Sequence, residues 1–351
     1  MAILCTDRVA IRGISACVPS KIENTDKVYS KWGGGEQFAS TVGVKQKRKA
    51  STHTTSADLC QAAAERLIQE MAWDKSEIEI LVFVSQTPDY QLPATSCILQ
   101  QRLGLPQSCM TIDISLGCSG WVYALSVIAS LMECSQIKKG LLLAGDTLSK
   151  ICSADDKSTY PIFGDAGTCT AIERNDSSQK MTFVMHTDGS GHDAIICRDG
   201  GSKHPVSSES LLEKDIADGI KRNPMQLAMD GMSVFTFGIS KAPKAVNELL
   251  AVTGVCAEEI DMFTFHQANL FMNEKIRKKL KLATEQVPYS LDEFGNTSSA
   301  SIPLTMVTRC AEDLRTKKLK HVACGFGVGL SWGAVRFDTD RIAIPALVEI
   351  P

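Results

Sequence analysis

The sequence contains no apolar run approaching the roughly 18 residues of a membrane-crossing helix. Its start, MAILCTDRVAIRG, has neither the basic n-region nor the continuous apolar h-region of a secretory signal. A cytoplasmic protein is therefore expected. An excess of charge of one sign is also missing: Lys plus Arg total 37 and Asp plus Glu 40, for a formal net charge of −3. That balance excludes the basic composition of a nucleic-acid binder. Closely spaced metal or redox pairs are absent as well. The thirteen cysteines include no C-x-x-C and the six histidines no H-x-x-x-H, so neither a disulfide scaffold nor a zinc site has support. Reduced thiols, most of them small buried hydrophobes, are the expectation.

What is present is a globular composition, 44% hydrophobic and 22% charged over 351 residues, long enough for one large core or two domains. Short apolar runs alternate with amphipathic ones. EILVFVSQ (79–86), TSCILQQRLG, SCMTIDI, GWVYALSVIASLM and KKGLLLAGD read as strand, helix, strand, helix and strand, which argues an α/β class. A second series follows in matching order: IDMFTFHQAN (260–269), NEKIRKKLKL, QVPYSLDEF, SIPLTMVTRCAEDL and KHVACGFGVGLSWGAVRF. SEIEILVFVSQTPD resembles EEIDMFTFHQAN, and KKGLLLAGDTLS resembles LKHVACGFGVGLS, at an offset of about 180 residues. The expectation is two duplicated halves, 1–175 and 223–351, joined by a less regular segment, 176–222, with a second flexible loop at Gly33–Gly35.

Cys118 stands apart from the other cysteines. The strand-like MTIDI precedes it, small residues flank it in SLGCSG, and a helix-like apolar run begins at Trp121. A tight strand-to-helix turn there presents the thiol near a helix N-terminus, which favours the nucleophilic thiolate; a structural Cys in a turn is the bland alternative. His266 closes the strand-like IDMFTF, at the kind of strand end where α/β proteins build sites. Asn296, in EFGNTSSAS, reads as an ordinary turn residue by itself. The repeat links it to Cys118, because both are expected to follow matching strands and to face one cleft. GFGVG (325–329) lacks the last Gly of a dinucleotide fingerprint, since residue 330 is Leu. It reads either as a bulged strand or as a backbone approaching something closely, with N–H groups able to serve an oxyanion.

The set ISLGCSGWVYAL, TFHQANLFM, FGNTSSASIPL and GFGVGLSWGAVRF, with FGDAGTCTAIE and LAMDGMSVFTF, resembles the β-ketoacyl-acyl-carrier-protein synthase III family of thiolase-fold condensing enzymes. The resemblance covers nearly the whole chain. It implies a five-layer αβαβα arrangement of two α/β halves and a homodimer. It also implies an acyltransferase in which Cys118 takes the acyl group from a thioester, and His266 and Asn296 stabilise the enolate as malonyl thioester loses CO₂. The N–H groups of Cys118 and Gly329 would form the oxyanion hole. Coenzyme A or phosphopantetheine thioesters would be substrates, acyl carrier protein the partner, and no metal or redox cofactor is implied. An acyltransferase or thioester hydrolase without decarboxylation and a silent heterodimer subunit are the alternatives.

The resemblance also marks departures. The Trp and Arg that hold the coenzyme A adenine in relatives are matched by Gln37 and Thr41, with Trp32 nearby but displaced; a second adenine-side Arg is matched by Lys157, and an Arg after HQAN-x by Phe271. Lys275, Arg277, Lys278 and Lys279 are the candidate docking residues for an acidic carrier, the alternative being a solvated helix face. Leu92 matches a position that reaches into the partner's acyl pocket in relatives, and ordinary local packing is its alternative.

Overall fold

Apolar runs without alternation become central strands because both of their faces are covered. Ile80–Val84 is the clearest case, buried at every position. The computed structural model describes residues 1–32, 40–175 and 180–351; the Gly33–Gly35 loop and Gln37 lie outside the described residues. Eleven strands form the two large sheets: β1 Ala2–Thr6, β2 Val9–Pro19, β3 Ile80–Val84, β4 Met110–Ile114, β5 Lys139–Asp146, β6 Ala166–Arg174, β7 Met181–Thr187, β8 Met262–Phe265, β9 Lys318–Gly327, β10 Ser331–Asp340 and β11 Val348–Ile350. One sheet runs β11-β2-β6-β5-β3-β4 and the other β1-β7-β10-β9-β8.

The duplication read from the sequence is visible in the pairing. In the first sheet β3 lies parallel to β5, which is antiparallel to β6; in the second, β8 lies parallel to β9, which is antiparallel to β10. The chain ends cross over: β1 pairs with β7 in the second sheet and β11 with β2 in the first. Within 176–222, β7 is a sheet strand and Lys214–Ala217 pairs with Ile220–Arg222 as a separate hairpin.

Six helices complete the layers: α1 Ser56–Glu70, α2 Thr95–Arg102, α3 Gly120–Glu133, α4 Gly231–Thr253, α5 Leu270–Lys279 and α6 Ser301–Arg309. Side chains of α3 and α6 share one core with Ile14, Val82 and Leu142 of the first sheet and Phe183, Ala323 and Val335 of the second. These two helices are the middle layer, and for that reason α3 is apolar on nearly every face. Helices α1 and α2 cover the outer face of the first sheet, and α4 and α5 that of the second. The result is the expected αβαβα arrangement. At the centre Trp121 of α3 donates from Nε1 to Thr170 Oγ1 at 3.0 Å, so its one polar atom is satisfied.

One expected strand is missing. QVPYSLDEF forms no strand, and Asn296 follows the short helix Leu291–Phe294 instead of a counterpart of β4. Pro288 has no N–H for a ladder. The Ser290 N–H donates to Gln267 Oε1 at 3.0 Å, and the Ser290 hydroxyl bonds Thr305 Oγ1 at 2.7 Å. Side chains thus take the bonds that a neighbouring strand would have supplied.

Candidate active site

Between β4 and α3 the chain turns through Ser115–Ser119, with the Gly120 N–H donating to the Gly117 carbonyl at 2.6 Å. Cys118 sits in this turn, 9% exposed. Glycines let the second half approach it. A Cβ on Gly325 would lie 2.8 Å from Ser119 Cα, and one on Gly327 would lie 2.7 Å from the Cys118 sulfur. The close-approach reading of GFGVG is therefore the one the structure bears out, and Cys118 is what is approached. Ser119 Oγ meets Ser331 Oγ at 2.6 Å, fixing the turn against the start of β10.

Ser331 Oγ also donates to the Val328 carbonyl at 2.8 Å. With that carbonyl held, the Val328 N–H faces the Cys118 sulfur, alongside the N–H of Cys118 itself. Here the structure corrects the sequence reading, which had chosen Gly329. The β9–β10 ladder ends at the Gly327–Ser331 pair, so the first free amide beyond it belongs to Val328. Gly329 instead supplies a φ of 136°, in the region that favours glycine.

Burial works against the expected thiolate. Burial pushes the Cys118 thiol up to about 11, against the pull of the Val328 and Cys118 N–H groups and the Ser298 hydroxyl, and the Asp146 carboxylate adds repulsion. Desolvation works against the helix N-terminus here and favours the neutral thiol.

His266 follows β8 directly and is 1% exposed, its N–H donating to the Cys324 carbonyl at 2.9 Å and its ring set edge-on to Phe326. Burial lowers its pKa to about 3, opposed by the Ser298 carbonyl, so the imidazole is neutral at physiological pH. Nδ1 lies 2.8 Å from Ser301 Oγ, which accepts from the Gln267 N–H at 3.4 Å. With the Ser301 hydroxyl taken as the donor to Nδ1, the ring proton is assigned to Nε2.

Asn296 is held by its backbone to the first half: its N–H donates to Ile162 O at 2.9 Å and its carbonyl accepts from Gly164 N–H at 3.1 Å. Gly295, at φ 66°, permits this approach, because a Cβ there would lie 2.6 Å from Ile162 O. In the side chain, Oδ1 accepts from the Ser298 N–H at 2.9 Å, which fixes the amide orientation. Nδ2 lies 3.5 Å from Ala268 O and keeps a second hydrogen to present.

Cys118, His266 and Asn296 line one cavity of about 320 Å³, with Phe163, Phe235, Phe271 and Phe326 among its apolar walls. Near its mouth Phe235 stacks on Phe271, with ring centroids 5.4 Å apart and planes 11° from parallel. Lys275 Nζ sits 5.3 Å over the Phe271 ring. Thr41 also lines the cavity. Trp32 and Lys157 come together against Gly219, where a Cβ would meet Lys157 Cδ at 2.7 Å and Trp32 Cδ1 at 3.2 Å. Neither side chain is among the cavity walls, and Lys157 Nζ is paired with Asp218 at 2.9 Å.

The basic residues on α5 are not equivalent. Arg277 is bidentate to Glu274 at 2.8 Å, and Lys279 Nζ donates to Ile239 O at 3.2 Å. Lys278 is 69% exposed and 4.0 Å from Glu274. Leu92 lies outside the cavity with 86% of its surface exposed, near the exposed Tyr90. Sequence reasoning missed Val328, Ser301 and Asp146. Val328 offers only a backbone N–H, and Ser301 and Asp146 lie inside the segments FGNTSSASIPL and KKGLLLAGD without a residue pattern that singles them out. Among the described residues no group of three His, Cys, Asp or Glu is placed to hold a metal, and no helix is long and apolar enough to cross a membrane.

The chain is similar to known proteins over most of its length. The family 3-oxoacyl-[acyl-carrier-protein (ACP)] synthase III matches residues 112–189, and its C-terminal counterpart matches 250–338. A β-ketoacyl-[acyl-carrier-protein] synthase III from Caldanaerobacter subterraneus is 30% identical over 326 residues, 92% of this chain and 96% of the relative. One from Streptococcus agalactiae is 31% identical over 304 residues, 85% of this chain and 88% of the relative. The crystal structure of a 3-oxoacyl-(acyl-carrier protein) synthase from Burkholderia xenovorans superposes with a TM-score of 0.93 at 37% identity, covering 99% of both chains. On these matches, the chain belongs to the 3-oxoacyl-[acyl-carrier-protein] synthase III family.

Proposed function

We propose that this protein is a decarboxylating condensing enzyme of the synthase III type, with Cys118, His266 and Asn296 as its catalytic residues. The carrying observation is that a buried thiol and two neutral, fixed hydrogen-bond donors line the same apolar cavity. Cys118 Sγ attacks the carbonyl carbon of an acyl thioester; a new S–C bond forms, the old one breaks, and the departing thiolate takes the Cys118 proton. The neutral resting thiol suits this step, since its proton leaves with the product. Malonyl thioester then loses CO₂, and the electron pair of the broken C–C bond becomes an enolate. Its oxygen accepts hydrogen bonds from His266 Nε2–H and Asn296 Nδ2–H.

The enolate carbon next attacks the acyl-Cys118 carbonyl. The oxyanion formed is met by the N–H groups of Cys118 and Val328, and its collapse expels the Cys118 thiolate, which takes a proton from solvent. A 3-oxoacyl thioester is the product. No metal or redox group is required by any step, because CO₂ loss supplies the nucleophilic carbon. Acyl carrier protein is the malonyl carrier, docking on the face that bears Lys275 and Lys278. The exposed Leu92 suits a homodimer in which a second copy covers it.

The test separates the half-reactions. Intact-mass measurement is expected to find an acyl adduct on Cys118, and malonyl-carrier is expected to release CO₂ stoichiometrically with 3-oxoacyl product. Stable acylation without CO₂ release would reject decarboxylating condensation in favour of acyl transfer or hydrolysis.

A further inference from the structure

We infer that Asp146 is a positioning residue that sets the nucleophile turn of the first half and the Asn296 loop of the second in register. This rests on the condensing reading above. Asp146 is the last residue of β5, fully buried. One carboxylate oxygen, Oδ1, accepts from the Gln86 N–H at 2.7 Å and from Ser85 Oγ at 3.1 Å, in the loop after β3. The other, Oδ2, accepts from the Ser299 N–H at 3.1 Å and Ser299 Oγ at 2.7 Å, in the loop between Asn296 and Ser301.

Each of these loops touches the chemistry. The Gln86 side chain fills the space left by the absent Cβ of Gly117, next to Cys118. Ser299 lies three residues after Asn296 and two before Ser301, whose hydroxyl holds His266 Nδ1. A single carboxylate therefore ties the segment that carries the amide donor and the group that orients the imidazole to the loop whose Gln86 side chain packs against the nucleophile turn. A buried carboxylate is costly unless donors surround it, and all the partners named above are donors. Neutral packing could join the two halves at lower cost. Burial raises the Asp146 pKa while the Ser299 and Gln86 donors oppose that, and what the carboxylate adds is a fixed, two-sided set of bonds that neither loop can leave without stranding a buried acceptor.

The test uses the full-length protein with two variants, Asp146→Asn and Ser299→Ala. Asn presents an NH₂ on one side, where it faces a donor; Ser299→Ala removes a single hydroxyl donor and serves if Asp146→Asn does not fold. Acylation of Cys118 is measured by intact mass, and decarboxylation of malonyl-carrier as kcat and KM separately. Misplacement by about 1 Å is worth on the order of 10²-fold. For Ser299→Ala the expected result is a kcat for decarboxylation lower by at least about tenfold, with KM and the acylation rate within about twofold. The double variant should be no slower than Asp146→Asn, since both act on one link. Unchanged decarboxylation in folded Ser299→Ala, or equal loss of both half-reactions, would overturn the inference. Failure of the wild-type protein to decarboxylate malonyl-carrier would instead overturn the condensing reading.

Discussion

In the cavity wall His266 and Asn296 are each fixed by a buried hydrogen bond, and next to it the Val328 peptide is held by a half-buried one. Outside the cavity the cations are held at the surface or lie on aromatic faces, as with Lys157 on Asp218 beyond its walls and Lys275 over Phe271 at its mouth. The energies differ accordingly. A surface ion pair contributes about 0–1 kcal/mol, whereas a buried polar group stripped of its partner costs about 1–3 kcal/mol. The floor can barely change without loss of function, and the mouth can change at little cost to the fold. Substrate choice is therefore expected to reside at the mouth and reaction type at the floor.

The most severe way to break the floor is to remove the nucleophile or crowd it. Cys118→Ala should abolish the acyl adduct seen by intact mass. Gly327→Ala places a methyl group 2.7 Å from the sulfur on a buried strand that cannot retreat, and should slow acylation on the order of 10²-fold. Wild-type acylation in Gly327→Ala would mean that β9 shifts freely and that the floor is softer than its packing implies.

Removing the enolate donors should separate the half-reactions. His266→Ala and Asn296→Ala should still form acyl-Cys118, while malonyl-carrier decarboxylation falls about 10²- to 10³-fold, the usual effect of losing a fixed oxyanion donor. Because burial lowers the His266 pKa from 6.5 to about 3, the imidazole is already neutral at pH 5. The decarboxylation rate should accordingly show no inflection near 6.5. An inflection there would assign the work to the imidazolium and undo the donor assignment.

The same contrast governs what the sequence could reveal. Cys118 and Asn296 were legible because each lies in a motif whose glycines are demanded by close backbone approach, and His266 because it closes an apolar strand. The central strands were legible because burial on both faces erases alternation. Val328 was not, since a backbone N–H leaves no trace in residue type and the conspicuous neighbour was Gly329. The missing strand at QVPYSLDEF was not legible either. Its fate depends on Gln267 and Thr305, which lie about 20 and 15 residues away from Ser290 in sequence and meet it only in the fold.

A smaller effect is expected from changing the mouth. Coenzyme A brings several phosphate charges, and Lys157 is already engaged by Asp218 while Phe271 presents only an aromatic face. A carrier-bound acyl donor should therefore acylate Cys118 with a higher specificity constant than the same acyl group on coenzyme A. Phe271→Arg should raise the coenzyme A value about tenfold, the worth of one charge-assisted hydrogen bond to phosphate, and leave decarboxylation unchanged. Equal specificity constants for the two donors in the wild type would remove the mouth as the selector.

The gentlest change is at the docking face, where charge acts at a distance and through solvent. On α5 only part of the basic cluster is available: Arg277 is locked to Glu274 and Lys279 to the Ile239 carbonyl, whereas Lys278 is exposed and Lys275 rests on Phe271. Reversing Lys275 and Lys278 to Glu should lower the rate of association with an acidic carrier by a few-fold at low salt, because rim charges act mainly on encounter. The deficit should shrink as salt rises toward about 0.15 M, where the Debye length falls to about 8 Å. Arg277→Gln should weaken the helix more than the docking, since its bonds run to Glu274 and Leu282 of the same chain. A salt-independent loss in Lys275→Glu/Lys278→Glu would indicate damage to the Phe271 wall, and no loss at low salt would assign these lysines to an ordinary solvated helix face.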